Sequence, residues 1–506
     1  MNRAVTKFWL AFSALLFGVM PSCAADLDAK AIDGIMEATR EFFHVPGIAV
    51  VVVHNDRVVY LKGFGERELG KPEKITPDTL FPIASLSKAF TATTAASLVS
   101  DGRLTWDATI RQIMPAFRLL DPVADQEVTL RDLLTHRTGL PRHDLIWRQP
   151  WSRLELIRRS AFLPSYKPFR SEYQYNNLMY VAAGLTIEQA AGLPWEEVVT
   201  QRLLQPLDMK ATNFRVEQTE KIPDHARPHW MKEDNTIVRI PFRDLDAMAP
   251  AGGINSTARD LGQWLRFQLA KGKWNGKSLI AEKPFCETHK PTIIVPPLSA
   301  RSIPEEWSIQ TSYGLGWNIA DYRGHHIVFH SGAIDGFTSF ALLAPREKFA
   351  VAVLNNLQLS PLPRSVAFQL LDLKTNLGNS EWNTKLQSTK DKLNQLRIDE
   401  EKATAALRKP GTKTSLPLQN YTGTYDHPGY GRMHIDEVKG TLFLEYAEER
   451  KPLEHFHYDT FLIPPTNDLW PGMYGNGLVT FRLDESGTLA SVRFSEQEFA
   501  KISDKK

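Results

Sequence analysis

Ser85 and Lys88 are the residues whose types and spacing best fit nucleophilic chemistry. They lie in the run Phe81-Pro-Ile-Ala-Ser-Leu-Ser-Lys-Ala-Phe, where a proline-containing loop leads into an apolar helical stretch. Residues three apart share one face of a helix, so the two side chains would be neighbours. A serine hydroxyl needs an adjacent base, and a lysine serves as one when apolar surroundings lower its pKa. The pair predicts a serine nucleophile at a helix start, where backbone N–H groups would stabilise an oxyanion.

Tyr175 and Asn177 form a second polar pair, at the start of a helix predicted over Leu178 to Ala191. A tyrosine beside an ammonium group can have a lowered pKa and act as a general base. An asparagine amide can hydrogen-bond a lysine and a substrate amide together. An ordinary helix-entry asparagine beside a packing tyrosine would give the same pair without any chemistry.

His330 lies on a predicted strand that begins at Ile327, and Gly332 follows two residues later. A glycine in a strand lets another backbone or a ligand approach closely. A lone histidine in this position is more often a structural residue than a catalytic one. Each of the three patterns also occurs elsewhere, at Ser503 to Lys506, Tyr474 to Asn476 and His427 to Gly429. None of them is therefore specific by itself.

The elements around these residues predict an α+β fold. Two β-branched runs flank Asn55-Asp56, which indicates a hairpin. A second pair of strand-like runs begins at Phe340 and at Phe349. Helical patterns lie between them, over Ser85 to Val99, Leu178 to Ala191 and Thr257 to Leu269. Strands at both ends with helices between indicate one antiparallel sheet assembled from distant segments.

In this chain order, Ser-x-x-Lys, Tyr-x-Asn and His-x-Gly resemble the active-site motifs of the penicillin-binding-protein and class C β-lactamase superfamily. The resemblance extends from about Asp28 to Leu371. It includes four supporting segments: Val128-Thr-Leu-Arg-Asp-Leu-Leu-Thr-His-Arg-Thr-Gly-Leu-Pro, Gln205-Pro-Leu-Asp-Met-Lys-Ala-Thr, Pro250-Ala-Gly-Gly-Ile-Asn-Ser-Thr-Ala-Arg-Asp-Leu and Tyr313-Gly-Leu-Gly-Trp. It implies a β-lactamase/transpeptidase-like domain, in which helices flank an antiparallel sheet beside an all-helical part.

The resemblance also implies the roles of the site residues. Ser85 would be acylated, with Lys88 and Tyr175 sharing the general-base work. The backbone N–H groups of Ser85 and Ala333 would form the oxyanion hole. Gly332, the residue before Ala333, would belong to the same site. Asn177 would hold the acyl side of the substrate.

His330 stands where β-lactamases proper carry lysine, which points to the peptidase, amidase and esterase relatives. A neutral imidazole binds a substrate carboxylate less firmly than a fixed ammonium does. The sequence thus predicts a serine hydrolase acting on amide, peptide or ester substrates, without cofactor or metal. The alternative is a penicillin-binding or sensor protein that is acylated and turns over poorly. The aromatic-rich stretch from Leu140 to Tyr173 is predicted to wall the cleft or to pack in the core.

The predicted domains are 28–375 for the hydrolase, 376–415 for a helical linker and 416–506 for a small all-β domain. The last resembles the lipocalin-like domain attached to some of these hydrolases, in segments such as Leu418-Gln-Asn-Tyr-Thr-Gly-Thr-Tyr. It would cap the cleft or stabilise the protein. His455 and His457 alternate there, but without a third ligand nearby they favour packing over a metal site.

Residues 1–25 are predicted to be a secretory signal, because Arg3 and Lys7 precede a short apolar run and small residues follow. Export to the periplasm or outside the cell is expected, and Pro21 makes Cys23 a poor lipid-attachment site. No other run has membrane length. The net charge of +2 gives no sign of a nucleic-acid partner. Cys286 is predicted to be a buried apolar residue. The expected partner is a small-molecule or peptide substrate, and the sequence leaves the oligomeric state open.

Overall fold

The computed structural model describes residues 27–296, 308, 310–378, 380–464 and 475–502. The predicted signal segment 1–25, with Cys23, lies outside them, as do Ser503 to Lys506 and Tyr474. Within the described ranges, no helix combines the length and the apolar character needed to cross a membrane.

A large antiparallel sheet forms the centre of the first domain and confirms the predicted α+β fold. Among the described residues it has eight strands, which are β1 Gly47–His54, β2 Arg57–Gly65, β3 Ile293–Ile294, β4 Thr311–Tyr313, β5 Asn318–Tyr322, β6 His325–Ile334, β7 Phe337–Ala344 and β8 Phe349–Asn355. They lie in the order β2-β1-β8-β7-β6-β5-β4-β3. Chain segments from both ends of the domain meet within this sheet, where β1 pairs with β8.

The predicted hairpin turn at Asn55 and Asp56 is present, and both residues have positive φ, at 49° and 61°. Such turns match the right-handed twist of the flanking strands, and asparagine and aspartate tolerate this conformation. The turn sets the pairing of His54 with Arg57, and an irregularity between Val52 and Val53 shifts the register of the rest of the hairpin.

Both faces of the sheet are covered, which explains why β1 reads as a continuous apolar run. Alternate residues of a strand face opposite sides. Ile48, Val50 and Val52 pack with the helices on one face, whereas Val51 and Val53 join the larger core on the other. A strand of this kind needs no polar positions, since neither face meets water.

Helices surround this sheet and build the helical part beside it. Their bounds are α1 Ala29–Phe42, α2 Ser87–Ser100, α3 Ile110–Ile113, α4 Pro122–Glu127, α5 Leu130–Leu134, α6 Arg153–Arg159, α7 Asn177–Ala191, α8 Trp195–Val199, α9 Val216–Lys221, α10 Ala249–Gly252, α11 Ala258–Leu269, α12 Glu282–Thr288, α13 Leu362–Thr375 and α14 Trp382–Ala406. Short 3₁₀ turns occur at Ala84–Leu86, Ile146–Arg148, Ser160–Phe162, Asp246–Met248 and Leu418–Tyr421, and a π turn occurs at Thr200–Leu204. Three short two-stranded ribbons pair Phe81–Pro82 with Asn255–Ser256, His229–Met231 with Ile237–Arg239, and Lys273–Trp274 with Lys277–Ser278.

The C-terminal domain is a closed antiparallel barrel, as predicted. Closure leaves no strand edge unpaired, and the interior is filled by aromatic and aliphatic side chains, among them Tyr421, Tyr425 and Phe481. In the described part of the chain its strands are β9 Gly423–His427, β10 Gly431–Val438, β11 Thr441–Tyr446, β12 Glu449–His457, β13 Thr460–Leu462, β14 Leu478–Leu483, β15 Leu489–Phe494 and β16 Gln497–Ile502.

Two smaller expectations are refined. Cys286 is half-buried rather than fully buried, and burial still raises the pKa of its thiol. His455 and His457 do not alternate regularly, because the register of β12 shifts between them. Nε2 of His455 lies 2.9 Å from the carbonyl oxygen of Tyr458.

Candidate active site

Ser85 lies at the entrance of α2, in the 3₁₀ turn that precedes the α-helix. The residue before it, Ala84, has a φ of +47°, a left-handed conformation that a non-glycine residue rarely adopts. Strain of this kind persists only where the surroundings fix it, and it concentrates at functional sites. The turn leaves Ser85 partly exposed although the residues on either side of it are buried.

Lys88 follows one turn later, and its side chain is fully buried. Its Nζ lies 3.1 Å from Oγ of Ser85, 2.8 Å from Oδ1 of Asn177 and 2.7 Å from the carbonyl oxygen of Ala251. Nζ also lies 4.8 Å from the centre of the Tyr175 ring. Two acceptors therefore hold the amine in place, and its third neighbour is the hydroxyl of Ser85.

Tyr175 completes the arrangement from the other side of Ser85. Its hydroxyl lies 2.9 Å from Oγ of Ser85. The following residue, Asn176, caps α7 by accepting from the backbone N–H of Met179, and Asn177 is the first residue of that helix. The cap fixes the chain direction, so Tyr175 and Asn177 both point at Lys88 and Ser85. The structure thus brings together the four predicted residues of the first two motifs.

His330 is close to this group but is entirely buried. Its Nδ1 lies 2.7 Å from the carbonyl oxygen of Ser331, and its Nε2 lies 3.0 Å from the hydroxyl of Tyr313. A carbonyl oxygen only accepts, so Nδ1 carries the proton. In the neutral ring Nε2 then accepts from Tyr313, whose own pKa is raised well above its usual value by burial. Both ring nitrogens are therefore engaged within the protein.

Strand β6 passes directly beside Ser85. Its pairing with β5 stops at Phe329, whereas its pairing with β7 continues to Ile334. A side chain on Gly332 would place its Cβ 2.2 Å from the carbonyl oxygen of Ile83 and 3.1 Å from the backbone nitrogen of Ser85. Glycine is required here because the strand and the turn at Ser85 are in contact. Ala333 follows immediately, next to the same turn.

Other residues of the site were not predicted from the sequence as site residues, although some of them lie in the supporting segments of the family resemblance. Asp144 accepts from Nδ2 of Asn177 at 3.2 Å, and no sequence pattern singled it out. Nδ1 of His136 accepts from the backbone N–H of Asn176 at 3.1 Å. Tyr313 and His136 lie in two of the supporting segments, and their place in those segments is the feature of the sequence that could have predicted them.

The second copy of the His-x-Gly pattern, at His427 to Gly429, has a structural explanation. Nδ1 of His427 accepts from the backbone N–H groups of Gly429 and Tyr430, so this histidine stabilises a barrel turn. Across the described ranges, no group of three or more histidine, cysteine or acidic side chains is arranged to hold a metal ion.

The sheet, the helical part and the Ser–Lys–Tyr arrangement define a serine hydrolase of the β-lactamase/transpeptidase fold. Residues 32–375 match the Beta-lactamase family, and the chain belongs to that family. Residues 407–505, which include the barrel, match a family described as a domain of unknown function, DUF3471.

Relatives and solved structures agree with this assignment. Unguisins hydrolase ungD' of Aspergillus campestris is 26% identical over 445 residues, which cover 83% of this chain and 80% of that protein. The octameric penicillin-binding protein homologue of Pyrococcus abyssi covers 94% of this chain and is itself wholly covered, with a TM-score of 0.62 and 22% identity. D-amino acid amidase of Ochrobactrum anthropi, solved with L-phenylalanine amide, covers 69% of this chain and is 97% covered, with a TM-score of 0.57 and 25% identity.

Proposed function

We propose that this enzyme is exported and that it hydrolyses amide, peptide or ester bonds through an acyl-enzyme on Ser85. The observation that carries the proposal is that two candidate bases flank one serine hydroxyl. Oγ of Ser85 lies 3.1 Å from Nζ of Lys88 and 2.9 Å from the hydroxyl of Tyr175.

In the proposed mechanism, Oγ of Ser85 attacks the carbonyl carbon and its proton passes to Lys88 or Tyr175. The backbone N–H groups of Ser85 and Ala333 stabilise the oxyanion. The intermediate collapses, the C–N or C–O bond breaks, and the departing amine or alcohol takes the proton. Water then attacks the ester carbon in the same way, which releases the acid and restores Ser85.

Asn177 and His330 have different proposed roles. Asn177 orients Lys88 through its carbonyl oxygen and binds the acyl side of the substrate. His330 is a positioning residue, because a fully buried imidazole with both nitrogens engaged cannot reach a substrate. This arrangement supports the expectation that the enzyme does not rely on a fixed cation to bind a β-lactam carboxylate.

The substrate class is proposed from two observations. The similar proteins named above are called a hydrolase and an amidase, which favours amide bonds. Phe214, Phe242 and Phe337 line a narrow pocket near the turn at Ser85, beside the ion pair of Arg243 and Asp335, and these rings favour an apolar group on the substrate at this point.

Labelling by a fluorophosphonate probe, followed by intact mass, tests the nucleophile. We expect one adduct on the wild-type protein and none on Ser85→Ala, with Ser388→Ala, at an exposed position of α14, as the matched control that still reacts. Labelling of Ser85→Ala at the wild-type rate would remove Ser85 from the mechanism.

A panel of D- and L-aminoacyl amides, p-nitrophenyl esters and nitrocefin tests the reaction. Turnover of amides or esters that depends on Ser85 is the expected result. A penicillin adduct that persists for hours, without turnover of any member, would instead favour the binding or sensor role.

Export is proposed from the basic start, short apolar run and small residues of segment 1–25. Cell fractionation with N-terminal sequencing is the test. We expect a mature chain that begins after Ala24 or Ala25 and lies outside the cytoplasm. A full-length chain in the cytoplasmic fraction would contradict export without affecting the hydrolase proposal.

A further inference from the structure

The aromatic-rich stretch between the first two motifs carries the docking surface of the barrel. Trp151 packs against Gly431, where a Cβ would lie 2.5 Å from its ring. The hydroxyl of Tyr166 donates to Glu496 at 3.0 Å. Arg148 and Glu449 form an ion pair across the same contact. This stretch therefore joins the two domains.

The central hydrogen bond of this contact joins Tyr430 of the barrel to His143. The Tyr430 hydroxyl lies 2.5 Å from Nδ1 of His143, and Nε2 of His143 lies 2.9 Å from the carbonyl oxygen of Pro164. Nε2 must donate to that carbonyl, so in the neutral ring Nδ1 accepts from Tyr430. His143 is buried and has a φ of +48°, so its backbone conformation is one that its surroundings must hold.

The next residue, Asp144, reaches the active site. Its Oδ1 accepts from Nδ2 of Asn177 at 3.2 Å and from Nε1 of Trp147 at 3.0 Å. Its Oδ2 accepts from Nε of Arg142 at 2.5 Å. A carboxylate only accepts, so the NH₂ group of Asn177 must face Asp144. The carbonyl oxygen of Asn177 is then left to face Lys88, which it does at 2.8 Å.

We propose that Asp144 and Tyr430 are positioning residues for acylation, and that the barrel contributes to catalysis through them. Asp144 selects the amide orientation of Asn177, and Tyr430 holds the loop that carries Asp144 through His143. The path from the barrel to the nucleophile is Tyr430, His143, Asp144, Asn177 and Lys88. The inference rests on the proposed function of Ser85 and adds the dependence of that function on the C-terminal domain.

This role differs from a lid or a purely stabilising contact. A lid limits access, so its loss changes the concentration of probe needed for half-maximal rate. A stabilising contact changes the unfolding temperature. A positioning contact changes the first-order rate at which saturating probe modifies Ser85, because it alters the geometry of the reacting groups.

The test uses the full-length protein and the fluorophosphonate probe, with the saturating rate kinact and the half-saturation constant KI determined separately. We expect Asp144→Ala to lower kinact about 100-fold and Tyr430→Phe to lower it about 10-fold, with KI changed less than about threefold. Asp144→Asn is the conservative rescue, because its amide oxygen can still accept from Asn177. It should retain at least about a third of the wild-type kinact. Tyr458→Phe is the matched control, since this barrel tyrosine is 58% exposed.

Each outcome decides a separate question. An unchanged kinact in Tyr430→Phe overturns the link to the barrel, and an unchanged kinact in Asp144→Ala overturns the positioning role. If Tyr430→Phe also lowers the melting temperature, its kinact alone does not separate positioning from stability. The comparison of Asp144→Ala with Asp144→Asn then decides the positioning role. The kinact of His143→Gln decides the link to the barrel. A wild-type protein that does not react with the probe contradicts the proposed function instead.

Discussion

The hydroxyl of Tyr313 lies 3.0 Å from Nε2 of His330, and this contact fixes the orientation of the His330 ring. Tyr313 is on β4 and His330 on β6, so the bond spans β5, the strand between them. It connects β4, the neighbour of the edge strand β3, to the strand that passes Ser85. His330 thereby helps to fix β6, the strand whose Ala333 N–H we propose as part of the oxyanion hole.

Removing that donor should destabilise the protein. Tyr313→Phe keeps the ring but deprives a buried acceptor of its hydrogen bond, which costs about 1–3 kcal/mol. Urea denaturation should show this loss in the free energy of unfolding, whereas Tyr458→Phe should show none. Equal stability of Tyr313→Phe and wild type would mean that His330 does not depend on this bond.

Tyr175→Phe tests the second candidate base. Loss of a general base lowers rates by about 10²–10⁴-fold. The phenylalanine ring can still pack beside Lys88, so the substitution removes only the hydroxyl. Pre-steady-state acylation by a p-nitrophenyl ester measures this step directly. An acylation rate within a few-fold of wild type would assign the proton transfer to Lys88.

Gly332→Ala tests the close contact between β6 and the turn at Ser85. The new Cβ would lie 2.2 Å from a carbonyl oxygen and 2.4 Å from Oγ of Ser339, so the strand or the turn must shift. We expect an acylation rate at least about 100-fold lower, since small displacements at the reacting groups have effects of this size.

Gly34→Ala is the matched control for that substitution. Gly34 lies in α1 and has no atom within 4 Å of the position that a Cβ would occupy. Alanine in a helix interior is favoured over glycine by about 0.5–1 kcal/mol. The control should therefore react normally and be slightly more stable. Normal reactivity of Gly332→Ala as well would show that β6 is not the oxyanion strand.

His143 predicts a pH dependence of stability. Burial lowers the pKa of His143 to about 4 from an ordinary value of 6.5, and a smaller repulsion from His427 adds to this shift. The hydrogen bond to the carbonyl oxygen of Pro164 and the attraction of Asp144 oppose it. Above pH 6.5 the ring is neutral in both states. Between pH 6.5 and 4 the unfolded chain binds a proton that the folded protein excludes, so stability falls as the pH falls, by about 3 kcal/mol at pH 4.

The measurement is the difference in unfolding free energy between wild type and His143→Gln across pH 4–8. Subtraction removes the contributions of the other titrating groups. We expect the difference to shrink as the pH falls below 6.5. A constant difference would mean that His143 titrates alike in the folded and unfolded states.

Much of the fold was predictable from local sequence. The turn at Asn55 is visible because its residue types tolerate positive φ, and α7 is visible because Asn176 caps an apolar run. The three motifs were also recognisable from local sequence, since each spans at most four consecutive residues. Their order along the chain then supplied the specificity that no single pattern had.

The connections between elements were not predictable. Asp144 meets Asn177 across 33 residues, and His143 meets Tyr430 across 287 residues. Neither contact leaves a periodic or spaced pattern in the sequence, because both depend on how separate elements pack. The aromatic residues near Trp151 likewise could not reveal that their partner is the barrel.

The long helix α14 gives this connection a further property. Its 25 residues span about 37 Å, and only Trp382 and Leu386 near its start are buried. Because it joins the barrel to the hydrolase domain covalently, docking of the barrel is an intramolecular event that does not depend on the protein concentration. Contacts that would be too weak between separate molecules can therefore remain formed in one chain. A single proteolytic cut in α14 would make docking depend on dilution.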